Sequence, residues 1–130
     1  MPTKKNKKIK NKSQNKTQKK REIIVTGKIA RTPEEIARGL MFRKRLKKNE
    51  GMLFKMGAKR KYGFWMKNTY ISLDIIFLSK NLKIIEYSEN TTPLSLKRIK
   101  GIGENILEVK SGFIKKNNLK KGDKIKFKEI

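Results

Sequence analysis

The stretch Phe64-Trp65-Met66-Lys67-Asn68-Thr69 runs without a break into Tyr70-Ile71-Ser72-Leu73-Asp74-Ile75-Ile76-Phe77-Leu78, and its reading decides how the rest of the chain is organised. It carries the only tryptophan, the longest apolar run, and an aspartate inside that run. An acid between Leu73 and Ile75-Ile76-Phe77 points inward on a strand and must then be paired or hydrogen-bonded. Lys67, Arg38 and Arg43 are the expected partners. Asp74 has two readings at this point: a structural carboxylate in a salt bridge or tying down loop amides, or a general base or ligand-orienting acid. In the second case its pocket is walled by Phe64, Trp65 and Tyr70. Trp65, with Lys67 and Asn68 beside it, either stacks a base or sugar or belongs to the core. Asn68-Thr69 also suits a turn.

Upstream, Ile23-Ile24-Val25-Thr26 is β-branched and predicts a first strand, ended or bent at Gly27. Thr32-Pro33-Glu34-Glu35 predicts a helix start, with Thr32 as N-cap, Pro33 at the first helical position and Glu35 closing a capping box. Ile36, Leu40 and Met41 fall on one helical face, with Arg38 and Arg43 at its flank and end. Met52-Leu53-Phe54 reads as a short strand, and Gly57 to Lys61 as a loop with three basic residues. Downstream, Lys80-Asn81 suggests a two-residue hairpin, and Thr91-Thr92-Pro93 opens an irregular connection through Gly101 and Gly103. Asn105 to Val109 reads as a strand, Gly112 to Asn117 as one helical turn, Lys121-Gly122-Asp123 as a turn, and Ile125 with Phe127 as a half-buried last strand. Many short strands around one or two short helices predict an α+β fold with a small, mostly antiparallel, barrel-like sheet.

Composition sets the outer limits. Lys and Arg number 36 against 11 acidic residues in 130, a formal charge of +25, which speaks to partners rather than to fold. Ten of the basic residues fall in residues 1–21, which carry no acid and one aliphatic side chain, Ile9, besides Met1. Such a segment cannot offset its ordering entropy by burial and is expected to be a disordered Lys-rich tail before a single globular domain over residues 22–130. Lys4, Lys5, Lys7, Lys8, Lys19, Lys20 and Arg21, with Lys44, Arg45, Lys47 and Lys48 of a second basic cluster, are the candidate contacts for a polyanion, nucleic acid or a ribonucleoprotein. The alternatives are a solubilising tail and a solvated loop.

The chain has no cysteine and no histidine. Disulfides, thiolate nucleophiles, Cys or His metal sites and Ser-His-Asp triads are therefore excluded by inventory, and no metal ligand set or cofactor motif is expected. Glu104 and Glu108 sit four apart on one predicted strand face with no matching acid near in sequence, which supports a carboxylate-pair hydrolase only weakly. No apolar run reaches the ~18 residues needed to span a bilayer, and residues 1–21 lack the apolar centre of a secretory signal, so the chain reads as cytoplasmic.

Six blocks carry a resemblance: Arg38-Gly39-Leu40-Met41-Phe42-Arg43, Glu50-Gly51-Met52-Leu53-Phe54, Phe64 to Thr69, Leu73-Asp74-Ile75-Ile76-Phe77, Leu107-Glu108-Val109 with Gly112, and Gly122-Asp123. In order and spacing they resemble a widespread prokaryotic family, the domain of unknown function 192. The resemblance implies a small mixed domain with a β-rich, barrel-like core, and it implies no cofactor. Ser72 stands where that family usually has proline, and Leu94 follows Pro93 where a cysteine is common, which removes any thiol role here. Two functions stay open: a non-enzymatic binding domain that meets a polyanion through its tail and basic loops, or a small enzyme or ligand-binding module using Arg38, Arg43, Trp65, Lys67, Asn68 and Asp74.

Overall fold

The computed structural model describes residues 21–130, so the expectations for Met1 to Lys20, including Lys4, Lys5, Lys7, Lys8, Lys19 and Lys20, lie outside the described residues. Six strands and two short helices follow in order: β1 (Ile24–Ala30), α1 (Pro33–Arg38), β2 (Glu50–Phe64), β3 (Leu73–Leu78), β4 (Ile84–Ser88), β5 (Ile99–Lys110), α2 (Phe113–Lys116) and β6 (Lys126–Glu129). The strands form one sheet in the order β4-β3-β5-β2-β1-β6. β3, β4, β5 and β2 pair antiparallel, whereas β1 runs parallel to both β2 and β6.

The sheet curls into a half-barrel because the segment leading into β6 turns back onto the start of β4. An antiparallel bridge joins Lys83 to Lys124, and the amides of Ile84 and Ile125 donate to the carbonyls of Asp123 and Leu82 at 2.8 and 2.9 Å. These bonds cover backbone groups that an open edge would leave unpaired. The α+β class with a mostly antiparallel, barrel-like sheet is as expected from the sequence.

Side-chain alternation gives the sheet two apolar faces. On the first, Val25, Leu53, Ile76, Leu107 and Val109 meet Phe113 and Ile114 of α2 and are closed over by Leu119 and Ile125. On the second, Phe54, Ile75, Phe77 and Ile106 are covered by Leu40, Leu46 and Met66 from the loops on either side of β2. Phe64 packs edge-on against Phe54 and Phe77, with ring centroids 5.6 and 6.3 Å away.

The start of α1 is built as its sequence dictates. The Glu35 amide donates to Thr32 Oγ1 at 3.1 Å, while Glu35 Oε1 accepts from the Thr32 and Arg31 amides at 3.0 and 2.8 Å. Those backbone donors hold the Glu35 carboxyl below its usual range. Pro33 opens the helix, and Gly39 ends it at φ 49°.

Four local expectations need correction. Of the two readings at Gly27, an end or a bend, the end is wrong: β1 runs through to Ala30, and a Cβ at Gly27 would lie 1.7 Å from the Gly51 carbonyl oxygen. Only glycine lets β1 and β2 approach this closely. Gly57 to Lys61 is not a loop: β2 continues for 15 residues, and Arg60 to Phe64 pairs with Ile99 to Gly103 beyond a register shift after Lys55. The connection through Gly101 and Gly103 belongs to β5, where a Cβ on Gly101 would meet the Phe77 ring at 2.5 Å. The hairpin after β3 has three loop residues, Lys80, Asn81 and Leu82, closed by the Ser79 amide on the Lys83 carbonyl, with Leu82 rather than a glycine at positive φ.

Candidate functional site

The second face of the sheet is not fully covered. Between α1, β2 and the loop after β2 lies a cavity of about 410 Å³. Ile36, Phe54, Met56 and Phe64 give it apolar walls, and Arg38, Lys67, Asn68 and Arg98 bring polar and cationic groups to it. This volume falls within the ~300–1,000 Å³ of small-molecule pockets, and the mixture of apolar wall and few polar groups is typical of them.

Glu108 also lines the cavity. β5 places it on the same face as Ile106, with Met52 of β2 and Ile75 of β3 as its cross-strand neighbours. Its residue surface is 6% exposed, and among the described residues its carboxyl has no hydrogen-bond or ion-pair partner. Burial alone pushes this carboxyl up to about 8. At neutral pH the group is therefore mostly a protonated acid, able to donate one hydrogen bond and accept others.

The rim is aromatic and cationic. Trp65 is 36% exposed, with the Arg98 guanidinium 4.7 Å and the Lys67 ammonium 5.2 Å from its ring centroid. Cations over an indole face are attracted by its quadrupole. The loops around the rim hold each other through backbone bonds: Met66 donates to Ser95, Phe42 to Asn68 and Leu94 to Thr69, at 2.9, 2.8 and 3.0 Å. Phe42, Asn68 and Leu94 all sit at positive φ, 67°, 54° and 66°. For Asn68 that conformation is ordinary, but Phe42 and Leu94 carry real strain while remaining more than half exposed.

Of the residues singled out in the sequence, Arg38, Trp65, Lys67 and Asn68 come together at this cavity. Trp65 is not sealed in the core. Arg43 does not line the cavity: it pairs with Glu50 at 3.0 Å and also donates to the Arg45 carbonyl. Tyr70, expected as a pocket wall beside Phe64, instead meets Phe42 edge-on at 6.3 Å. Asp74 lies on the opposite face of the sheet, fully buried, and is bonded to none of Lys67, Arg38 or Arg43. Its two oxygens accept from the amides of Asn90 and Ile114, both at 2.9 Å, so it ties α2 and the loop after β4 to β3.

Glu104 accepts from the Lys80 amide at 3.1 Å in the β3–β4 turn and does not line the cavity with Glu108, so the two do not form a carboxylate pair there. Lys44, Arg45, Lys47 and Lys48 are exposed on a loop pinned by buried Leu46 and by the Lys47 amide on Glu50, a bond that holds the Glu50 carboxyl below its usual range. Arg21 donates to the Asn117 carbonyl at the end of α2, at 2.7 Å.

Two members of the site were not among the ligand-binding candidates read from the sequence, Glu108 having been weighed only as a carboxylate-pair partner of Glu104. Arg98 sits in a segment with no recognisable pattern. Glu108 had a signal, an acid inside Ile106-Leu107-Glu108-Val109, but without the strand register nothing says which face it takes. Among the described residues no three His, Cys, Asp or Glu side chains come close enough to hold a metal, and no helix is long and apolar enough to cross a membrane.

The family model described as uncharacterized ACR, the domain of unknown function 192, matches residues 13–127. Among solved structures, a protein from Sinorhizobium meliloti 1021 described as a "putative transcription regulator" is similar at 33% identity and a TM-score of 0.73, over 75% of this chain and 78% of that one. A protein of unknown function from Novosphingobium aromaticivorans is 36% identical, with a TM-score of 0.71, over 75% of this chain and 71% of that one. No curated protein matches.

Proposed function

The chain belongs to the family described as uncharacterized ACR, and on that premise we propose that it is a ligand-binding domain whose small-molecule ligand occupies the cavity beneath α1. The observation that carries this reading is Glu108. Its residue surface is 6% exposed, its carboxyl lines the cavity, and among the described residues no protein group bonds it, so it is free to make a hydrogen bond to something that enters. Arg38, Lys67 and Arg98 around the mouth select a ligand with negative charge, while Phe54, Met56 and Phe64 favour one with an apolar body. Phe42 and Leu94, strained and exposed, are tied by backbone hydrogen bonds to Asn68 and Thr69 of the cavity lining.

Trp65 is the only tryptophan, so its fluorescence reports directly on this cavity. In a titration series of small carboxylates and phosphorylated compounds, at least one is expected to change Trp65 emission and raise the melting temperature of the wild-type chain. The same compound should do neither with Glu108→Leu or Arg98→Ala. If every compound that acts on the wild type acts equally on both variants, the cavity is not the binding site.

A second reading rests on charge: the chain carries +25 overall, and the exposed loop from Lys44 to Lys48 adds to a basic surface. A polyanion such as nucleic acid is its natural partner, held chiefly through counterion release by residues 1–21 and that loop. The likeness to a protein described as a "putative transcription regulator" points the same way.

A further inference from the structure

A second cavity, of about 340 Å³, shares no lining residue with the first. Three elements each send one lysine to it: Lys48 from the loop before β2, Lys110 from the end of β5, and Lys116 from α2. All three are exposed, and among the described residues none has an acidic partner or donates a side-chain hydrogen bond. Asn49, at φ 64°, and Ser111 complete the lining with a side-chain amide and a hydroxyl.

Among the described residues no acidic side chain lines this cavity. Asp74 is spent on the Asn90 and Ile114 amides, and Glu50 on Arg43 and the Lys47 amide. The consequence is visible on Lys116, whose ammonium is held below its usual range first by the adjacent Lys48 and then by burial and Lys110. Three like charges converging on one concavity repel each other until an anion sits between them. The chain could disperse them, since lysine side chains are long, yet each Cα is fixed by a separate element of the fold.

We infer that Lys48, Lys110 and Lys116, with Asn49, form a binding site for an oligophosphate group. Ammonium groups bind phosphate as point charges without demanding a bidentate geometry, and the amide of Asn49 adds a neutral donor. A concavity of this size admits more than one phosphate unit. The group belongs either to a free oligophosphate or to consecutive phosphates of a nucleic-acid backbone, and the site chemistry is the same for both.

The test uses the full chain and inorganic triphosphate at about 0.15 M salt, where exposed charges more than roughly 8 Å apart are screened. Lys48→Gln, Lys110→Gln and Lys116→Gln together remove three charges. A control chain removes three elsewhere by Lys59→Gln, Lys61→Gln and Lys80→Gln, all exposed and outside both cavities. The site variant is expected to bind triphosphate at least about tenfold more weakly, and the control within about twofold of wild type, since only the three ammonium groups of the site act on the phosphates at contact distance. Equal losses in the two chains would mean diffuse attraction and overturn the site.

In the wild type, triphosphate should protect Lys116 from an amine-acylating reagent before it protects Lys59. Protection that is no greater at Lys116 than at Lys59 overturns the site as well, and this readout needs no substitution. A duplex DNA arm separates the two sources: parallel loss of duplex binding in the site variant assigns the phosphates to a backbone, and loss of triphosphate alone assigns them to a free compound.

Discussion

Asp74 and Glu108 stand on neighbouring strands of one sheet, a residue apart in register, and face opposite ways. Asp74 takes two amide donors and becomes part of the scaffold, whereas Glu108 takes none and opens on a cavity. The difference sets opposite expectations for amide substitution. In Asp74→Asn one of the two carboxylate oxygens is replaced by an NH₂ facing an N–H donor, so a buried amide loses its partner, and the chain should unfold more easily by about 2–4 kcal/mol. Binding reported by Trp65 should be unaffected, because Asp74 lies across the sheet. Thermal or urea melts showing wild-type stability would remove Asp74 from the scaffold.

For Glu108→Gln the sign follows from the direction of its shift. Its folded-state carboxyl is raised from 4.5 to about 8, so between those values the folded chain holds a proton that the unfolded chain has released. Folding is then progressively disfavoured as pH rises through that window and is unaffected by this group below it. Glutamine removes the dependence, so Glu108→Gln should match wild type near pH 4 and exceed it increasingly toward pH 8, by a few kcal/mol at most. Urea melts at several pH values measure it; a constant difference between the two chains across the window would show that Glu108 is not buried as a neutral acid.

At the scale of elements, local chemistry was legible wherever the determinants lie within a few residues. Thr32, Pro33 and Glu35 specify the start of α1, and Lys121-Gly122-Asp123 specifies its turn, with Gly122 at φ 92°. Arg38 and the Trp65-Lys67-Asn68 group were found as candidates for the same reason: they stand in two compact motifs. The long strands were not legible. Lys59-Arg60-Lys61 in β2 and Gly101 and Gly103 in β5 look like loop residues because their neighbours are missing from a one-dimensional reading. In the sheet, the exposed lysines and arginine face solvent, and the glycines make room for others. Gly101 is the clearest case, since its Cβ site is filled by Phe77, a ring with no exposed surface. Gly101→Ala should push that ring off its position and cost about 1–3 kcal/mol as overpacking does. Calorimetry on this single variant decides whether β5 tolerates a side chain there, and a melting temperature equal to wild type would mean that Phe77 repacks freely. Glu108 was weighed only as half of a carboxylate pair with Glu104, because the face it takes depends on its pairing with Met52 and Ile75, residues tens of positions away.

At the scale of the whole molecule, charge and fold divide the work. The domain's cavity has apolar walls and three cationic groups at its mouth, so binding of one small anion there should fall with salt far less steeply than binding of a polyanion. Attraction to a polyanion is different, because each phosphate neutralised releases counterions, and log K falls against log salt with a slope of about −0.9 per contact on duplex DNA. Removing residues 1–21 takes away ten positive charges and leaves 26 basic against 11 acidic residues. The truncated chain should therefore bind duplex DNA with a shallower salt slope and lower affinity at every salt concentration, while Trp65 emission on titration of the cavity stays as in the full chain. The slope difference counts the phosphate contacts made by the tail, and the residual slope counts those of Lys44 to Lys48 and the rest of the surface. A slope unchanged by truncation would assign all phosphate contacts to the folded domain and leave the tail without a part in binding.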